Sequence, residues 1–173
     1  MGKTADNLSE AFAGESQANR KYLAFAKKAD EEGQPQVAKL FRAAAAAETV
    51  HAMNHLKAMD GIGDTIKNLK HAIEGEMYET ITMYPDFAKV AEAEGNTDAA
   101  VLFKQIAKIE KEHKERYEKL LKRVEDGTVY KREKPIRWKC MKCGYVHEGT
   151  EPPMKCPSCK HPREYYEPED IDL

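Results

Sequence analysis

The sequence predicts an all-α four-helix bundle followed by a small, β-rich domain with metal-binding knuckles. Apolar residues recur at helical spacing through four long segments in the first 126 residues. The second pair of segments repeats the first pair at an offset of 62 residues, since Phe25 corresponds to Phe87 (87−25) and His51 to His113 (113−51). All 4 cysteines lie after residue 139. These three observations define the predicted domains, which are a bundle at 1–127, a linker at 128–135 and the knuckle domain at 136–173.

Each predicted helix has recognisable start and stop signals. Pro35 suits the first turn of the second helix, and Gly61 and Gly63 separate the second helix from the third. Pro85 falls inside the third helix, where we expect a kink or a local bulge. The four helices are expected over residues 4–31, 35–58, 65–94 and 97–126.

Composition and charge exclude several functional classes. The net charge is −2, so the sequence offers no electrostatic case for binding nucleic acid or an anionic membrane. The chain contains no run of about 18 apolar residues, so no membrane span is expected. The N-terminal residues lack the apolar core of a signal peptide. We therefore expect a cytoplasmic protein.

Carboxylates and imidazoles on the apolar stripes indicate a dinuclear metal site. Each half carries a Glu-x-x-His pair on its apolar stripe, and the first and third helices place further glutamates there. Burying unpaired carboxylates is very unfavourable, and two metal cations remove that cost. Carboxylates with imidazoles suit iron or manganese, and this ligand plan is typical of dinuclear four-helix bundles. The candidate ligands are Glu15, Glu48, His51, Glu76, Glu79, Glu110 and His113, with Glu48 and Glu110 as bridges.

The repeat is imperfect at the first carboxylate. The residue 62 positions after Glu15 is Met77, while glutamates stand at positions 76 and 79. We therefore expect the second half to offer two carboxylates in place of one. Tyr22 and Tyr84 also keep the offset of 62 (84−22). They are interpreted either as hydrogen-bond donors to ligand carboxylates or as aromatic core residues.

The cysteines form two Cys-x-x-Cys pairs, which predict a second metal site. Four thiolates at this spacing favour tetrahedral zinc or iron over disulfides. The spacing does not separate a structural zinc site from a redox iron site. Trp138 is expected to form the small core of this domain, whose folding depends on the metal. The predicted ligands are Cys140, Cys143, Cys156 and Cys159.

The combination and order of these motifs resemble a rubrerythrin. The motifs are Gly-Glu-Ser-Gln-Ala-Asn-Arg from residue 14, Glu-Thr-Val-His from 48, Glu-Gly-Glu-Met-Tyr-Glu from 74, and Glu-Lys-Glu-His from 110. The tail has the Cys-x-x-Cys-Gly-Tyr and Cys-Pro-x-Cys motifs of a rubredoxin. The resemblance implies a ferritin-like bundle with a left-handed crossover, holding two non-haem irons. It also implies one FeS₄ iron per chain, where zinc is an alternative.

The resemblance further implies a peroxidase that reduces hydrogen peroxide to water in oxidative-stress defence. Electrons would enter through the FeS₄ iron from rubredoxin or an NAD(P)H-dependent reductase. Glu79 and His51 would be alternating ligands of one iron, and Tyr22 and Tyr84 would belong to the catalytic set with the di-iron ligands. The family also implies a homodimer, in a plain or a domain-swapped form.

The sequence departs from the rubredoxin pattern in two places. The spacer between the cysteine pairs is short, and Lys160 stands where rubredoxins usually have glycine, which costs about 1 kcal/mol if its backbone is left-handed.

Two alternative functions are also open. A ferroxidase of ferritin type would share the bundle but would need to assemble into a cage of many subunits. A zinc-ribbon interaction protein with a vestigial bundle site would carry zinc on its cysteines.

Overall fold

A computed structural model describes residues 2–169 of the chain. These residues form mostly helices and end in a small three-stranded sheet. The helices are α1 (Lys3–Glu31), α2 (Pro35–Ala58), α3 (Thr65–Tyr78), α4 (Tyr84–Ala93) and α5 (Thr97–Glu125). The strands are β1 (Ile136–Cys140), β2 (Val146–Gly149) and β3 (Tyr166–Pro168).

The first compact unit ends at Gly63 and consists of α1 packed along α2. Small residues such as Ala26 and Ala38 are buried at this contact, and Phe41 packs against them. Short side chains let the two helix backbones approach closely. The bounds of α1 and α2 confirm the helices that the sequence predicts for this half, to within one residue.

The second compact unit begins at Asp64, whose Oδ1 accepts a hydrogen bond of 2.8 Å from Lys67 N and caps α3. The predicted single helix over 65–94 is interrupted here by a five-residue π-helical segment, Glu79–Met83. The expected bulge therefore precedes Pro85. Proline has no N–H to bond the carbonyl of Ile81, so the regular α-helical ladder is already broken at this point. The segment that includes α3 and α4 packs against α5.

The sheet has the order β2-β1-β3, and both pairings are antiparallel. Trp138 is fully buried in its small core, as predicted, and its Nε1 donates to Gly149 O at 3.0 Å. Tyr166 completes this core beside two of the cysteines. The sheet belongs to the second unit, whereas the sequence predicts a domain boundary at residue 127. That boundary stays a prediction, and residues 170–173 of the predicted domain lie outside the described range.

No helix within residues 2–169 combines the length and the apolar character that a bilayer span requires.

Candidate metal centres

The first unit brings one carboxylate of α1 together with the Glu-x-x-His pair of α2. His51 Nδ1 lies 2.7 Å from Glu48 Oε2 and 3.8 Å from Glu15 Oε1. One helical turn separates Glu48 from His51, so both side chains point to the same face of α2. The three side chains can offer two carboxylate oxygens and an imidazole nitrogen within 4.8 Å of one another.

The second unit contains an equivalent group on α3 and α5. His113 Nδ1 lies 2.7 Å from Glu110 Oε2 and 3.7 Å from Glu76 Oε1. These distances match those of the first group to within 0.1 Å. We will call the first set of residues ligand group 1 (Glu15, Glu48 and His51) and the second set ligand group 2 (Glu76, Glu110 and His113).

The geometry makes Glu76 the counterpart of Glu15, although the two are 61 residues apart (76−15). The sequence supports the same alignment, since Asn7-Leu8 and Gly14-Glu15 recur as Asn68-Leu69 and Gly75-Glu76 at this offset. The offset becomes 62 only after the π-helical segment, which holds one extra residue. The alignment of Glu15 with Met77 is therefore wrong, and Glu76 is the copy of the first carboxylate, while a second carboxylate from Glu79 stays a prediction. A change of offset within the repeat was the signal that could have revealed the insertion.

Glu79 is also a predicted ligand, and it lies in the π-helical segment and outside ligand group 2. It is close enough for its charge to act on the group. Burial is the main cause that raises the pKa of Tyr84, and the negative charge of Glu79 is the next. Glu79 also helps to raise the pKa of Glu76, although burial and Glu110 contribute more. Its role as a ligand stays a prediction.

Each ligand group lies in a hairpin that also carries an aromatic trio. The ring centroid of Tyr22 lies 6.1 Å from that of Phe41, and Phe25 lies 5.5 Å from Phe41. In the second hairpin Tyr84, Phe87 and Phe103 repeat these contacts at 6.1 and 5.6 Å. Both tyrosines therefore pack against aromatic neighbours, and hydrogen bonding to a ligand carboxylate stays a prediction.

The chemistry of the two groups fits metal cations. The side chains of Glu48, Glu76 and Glu110 are each at most 18% exposed. Burial and a hydrogen bond with Glu110 raise the pKa of Glu76, so Glu76 and Glu110 resist being ionised together. A cation between them would remove this repulsion. Each group supplies two carboxylates and one imidazole, so the two hairpins each carry donors that suit iron, and the chain holds the donors expected for two irons.

The four cysteines converge as a third group at one end of β1. Cys140 Sγ lies 3.7 Å from Cys159 Sγ, and Cys143 Sγ lies 3.6 Å from Cys156 Sγ. Four sulfurs placed tetrahedrally at about 2.3 Å from a metal are about 3.8 Å apart, so these separations fit a shared metal. All four cysteines are free thiols.

The two knuckles have the same backbone pattern. Cys140 N donates to Tyr145 O at 2.8 Å, and Cys156 N donates to His161 O at 2.8 Å. Gly144 and Lys160 follow the second cysteine of each knuckle, and both have left-handed backbones, with φ of 77° and 63°. Lys160 therefore has the left-handed backbone for which a cost of about 1 kcal/mol is expected.

The thiols of the second knuckle differ in acidity. Burial opposes ionisation of Cys156, but hydrogen bonds led by the backbone N–H of Cys159 lower its pKa to about 6. A backbone N–H of His161 favours the Cys159 thiolate, yet burial and the neighbouring thiols raise the pKa of Cys159 to about 12. Several thiolates at this distance therefore need a cation between them, which a bound zinc or iron would provide.

Comparisons with known proteins match both parts of the chain. The family model described as Rubrerythrin matches residues 6–121, and the one described as Rubrerythrin, rubredoxin-like domain matches residues 138–167. The rubrerythrin of Porphyromonas gingivalis is 43% identical over 96% of this chain and 90% of its own length. That of Nitratidesulfovibrio vulgaris is 37% identical over 95% and 93%. A solved structure of nigerythrin in a partially reduced state is 34% identical, covers 97% of this chain and 87% of its own, and has a TM-score of 0.38.

Proposed function

Since the chain belongs to the rubrerythrin family, we propose that it is a non-haem di-iron peroxidase that reduces hydrogen peroxide to water in oxidative-stress defence. One observation carries this proposal. A single chain combines two matched Glu-Glu-His groups with a four-thiolate site. The first two suit a pair of irons, and the third suits an iron that carries single electrons.

The reaction consumes two electrons and two protons for each peroxide, because H₂O₂ + 2e⁻ + 2H⁺ gives two molecules of water. Two irons held by these ligands would supply one electron each, so that the O–O bond could be cleaved without release of a free radical. The chain contributes the ligands. Ligand groups 1 and 2 hold the pair, and Glu48 and Glu110 are the candidates to bridge it.

Protons need a carrier beside the site, and we assign this role to Glu79. Its carboxylate lies near enough to Tyr84 and Glu76 to raise their pKa values, yet it stands outside the group formed with His113. A carboxyl group that is not permanently bound can take a proton from solvent and pass it to a leaving oxygen. The phenol of Tyr84 stays protonated, because burial raises its pKa, and it can donate a hydrogen bond to one of these carboxylates.

We further propose that the protein works as a homodimer, in a plain or a domain-swapped form. Large apolar side chains are exposed on both units, including Leu40 at 70% and its repeat partner Leu102 at 56%. Exposed apolar residues on this scale are typical of surfaces that another chain covers. The electron donor would be a rubredoxin or an NAD(P)H-dependent reductase.

Anaerobic stopped-flow absorption tests the proposal. Fully reduced, iron-loaded protein is mixed with hydrogen peroxide, and the colour of the oxidised four-thiolate iron is followed. Rapid return of the colour is expected, and Glu110→Ala should abolish it. Glu79→Ala should slow it at least tenfold, because the proton carrier is removed. Glu74→Ala is the matched control, since Glu74 is an exposed carboxylate of α3, the helix that leads into the π-helical segment.

The opposite results identify the alternatives. Slow colour return that is the same in all variants would overturn the peroxidase assignment. A large shell in size-exclusion chromatography would then favour a ferroxidase. Zinc on the cysteines of protein from its native host would favour an interaction module. If Glu79→Ala alone behaves as wild type, the proton role of Glu79 is wrong and the peroxidase assignment stands.

A further inference from the structure

Tyr166 lies in the buried core beside the cysteine ligands. It belongs to β3, where it faces Cys140 of β1 across an antiparallel pairing. Residues that face each other in this way place their side chains on the same side of the sheet. Tyr166 is only 3% exposed, and it packs in one cluster with Trp138, Cys140 and Cys156. Its ring is therefore enclosed in the same core as two of the four predicted ligands.

The hydroxyl of Tyr166 is a buried polar group that lacks a partner. No group within residues 2–169 forms a hydrogen bond with its oxygen. Trp138 provides the contrast, because it is fully buried in this core and its Nε1 donates to Gly149 O. A buried hydroxyl without a partner is unfavourable, and such groups normally have one in folded proteins.

The Cys156 sulfur is the acceptor within reach of this hydroxyl. Burial opposes ionisation of Cys156, but a backbone N–H of Cys159 and next the Tyr166 hydroxyl lower its pKa. Burial in turn raises the pKa of the Tyr166 phenol, and Cys156 raises it further, so the phenol keeps its proton. A thiol sulfur is a weak acceptor, whereas a thiolate that binds a metal is charged and a stronger one. Metal on the cysteines would therefore give the Tyr166 hydroxyl the partner that it lacks.

We propose that Tyr166 sets the reduction potential of the four-thiolate iron by donating an O–H···S hydrogen bond to Cys156. This inference rests on the proposed function, because it requires iron on the four cysteines. When a one-electron donor reduces that iron from ferric to ferrous, the site gains one negative charge and no bond is broken. A hydrogen bond to a ligand sulfur stabilises the more negative form and so raises the potential. Tyr166 thus acts through the ligand Cys156 and is not itself a ligand.

A redox titration of the iron-loaded full chain tests this inference. The protein is titrated anaerobically with redox mediators and without peroxide, and the colour of the ferric four-thiolate iron reports the midpoint potential. Tyr166→Phe keeps the ring and removes only the hydroxyl. Its reduction equilibrium constant should be about three- to tenfold lower than that of wild type, because one hydrogen bond is lost. A tenfold change lowers the midpoint by about 59 mV for one electron.

Tyr165→Phe is the matched control, since it removes the hydroxyl of the preceding residue. Tyr165 is partly exposed, and its ring contacts His161 and the ammonium group of Lys142. Phenylalanine keeps the ring that makes both contacts. The reduction equilibrium constant of this variant should differ from that of wild type by less than about twofold.

Resonance Raman spectra give a signal that a purely structural role would not change. Transfer of wild type into D₂O should shift the iron–sulfur stretching bands, because hydrogens bonded to the sulfurs take part in these vibrations. Backbone N–H donors contribute as well, so only part of the shift should be lost in Tyr166→Phe. A ring-fluorinated tyrosine at position 166 keeps the hydroxyl and makes it a stronger donor, so it should raise the midpoint. This substitution tests the inference even if Tyr166→Phe fails to hold iron.

The inference is overturned if Tyr166→Phe has the midpoint of wild type, or if the fluorinated tyrosine does not raise it. It is also overturned if both phenylalanine variants lower the midpoint equally, because the effect would then not belong to the buried hydroxyl. Failure of the proposed function gives a different pattern. A lowered midpoint for Tyr166→Phe, in a protein that does not turn over peroxide, would leave the role of Tyr166 in place and contradict the peroxidase assignment.

Discussion

Glu76 and Tyr84 are eight residues apart, whereas their repeat partners Glu15 and Tyr22 are seven apart in a regular α-helix. Seven residues are close to two α-helical turns and keep both side chains on one face. In the second hairpin the π-helical segment takes up the eighth residue, and Tyr84 still senses the charge of Glu76. The π-helical segment thus keeps Glu76 and Tyr84 on a common face, as Glu15 and Tyr22 are in the first hairpin. It adds one residue to the second hairpin, in the segment that includes Glu79.

Deleting Thr80 should convert the π-helical segment into regular α-helix and restore the seven-residue spacing. We expect helix content by circular dichroism and metal loading of ligand group 2 to be unchanged, because Glu76 and Tyr84 keep a common face. Peroxide turnover should fall at least tenfold, since Glu79 rotates by about 100° relative to α4.

The control must keep the helix ends intact. Deletion of the exposed Asn96 is unsuitable, because its side chain caps α5. Thr80→Ala, which keeps the length, is the control and should retain turnover. Loss of metal from the deletion variant would contradict this account.

The stability of the metal-free protein should depend on the ionisation of Glu76. Burial and Glu110 raise its pKa above the ordinary 4.5, so the folded state holds this proton more tightly than the unfolded state. The stabilisation is fully present below pH 4.5 and is lost as the pH rises through the folded-state pKa. Glu76→Gln should therefore flatten the decline of the free energy of unfolding above pH 4.5.

Urea unfolding of chelator-treated protein between pH 4.5 and 7 measures this slope. Glu74→Gln removes an exposed carboxylate from the same helix and should leave the slope as in wild type. Equal slopes for wild type and Glu76→Gln would show that burial does not perturb this carboxyl group.

Asn19 is a buried polar residue that joins α1 to α2. Its Nδ2 donates to Ala45 O at 2.6 Å and to Thr49 Oγ1 at 2.8 Å. Asn19→Ala should lower the free energy of unfolding by about 1–3 kcal/mol, because a buried acceptor loses its donor. Chemical denaturation measures the loss, and the exposed Asn7→Ala should change stability by less than about 0.5 kcal/mol. If Asn19→Ala left the free energy of unfolding unchanged, water would be replacing the side-chain donor.

The left-handed residues of the two knuckles should respond oppositely to substitution. Gly144→Ala introduces a Cβ at φ 77° and should destabilise the knuckle by about 1–2 kcal/mol. Lys160→Gly relieves the same strain at φ 63° and should stabilise it by up to about 1 kcal/mol. Thermal unfolding followed by the visible absorption of the bound iron reports both effects. The prediction is wrong if Lys160→Gly lowers the midpoint, which would mean that the hydrogen bond from Lys160 Nζ to Pro157 O outweighs the strain.

Much of the helical architecture could be predicted because its signals are local. Pro35 and the glycines near residue 61 mark helix ends, and the bounds of α2 agree with the prediction residue for residue. The Glu-x-x-His pairs were likewise readable, because three residues is nearly one helical turn. The converging cysteines follow from the geometry of tetrahedral metal sites.

The π-helical segment could not be predicted by matching the halves at a single offset. The inserted residue makes the offset between the halves 61 before the segment and 62 after it. At an offset of 62, Glu15 therefore aligns with Met77 instead of Glu76. The buried Asn19 was missed for another reason. Its burial depends on the groove between α1 and α2, and the pattern of its own helix does not reveal the depth of that groove.

The inserted residue also has a consequence for symmetry. Two duplicated hairpins with identical ligands would hold two metals in equivalent surroundings, and neither could be told from the other. Because Glu79 acts on ligand group 2 and its repeat partner in the first hairpin is not acidic, the two hairpins carry unequal negative charge beside their ligands. The metal of the second hairpin should be harder to reduce than its counterpart, so a duplicated scaffold would release and accept its two electrons at separate potentials.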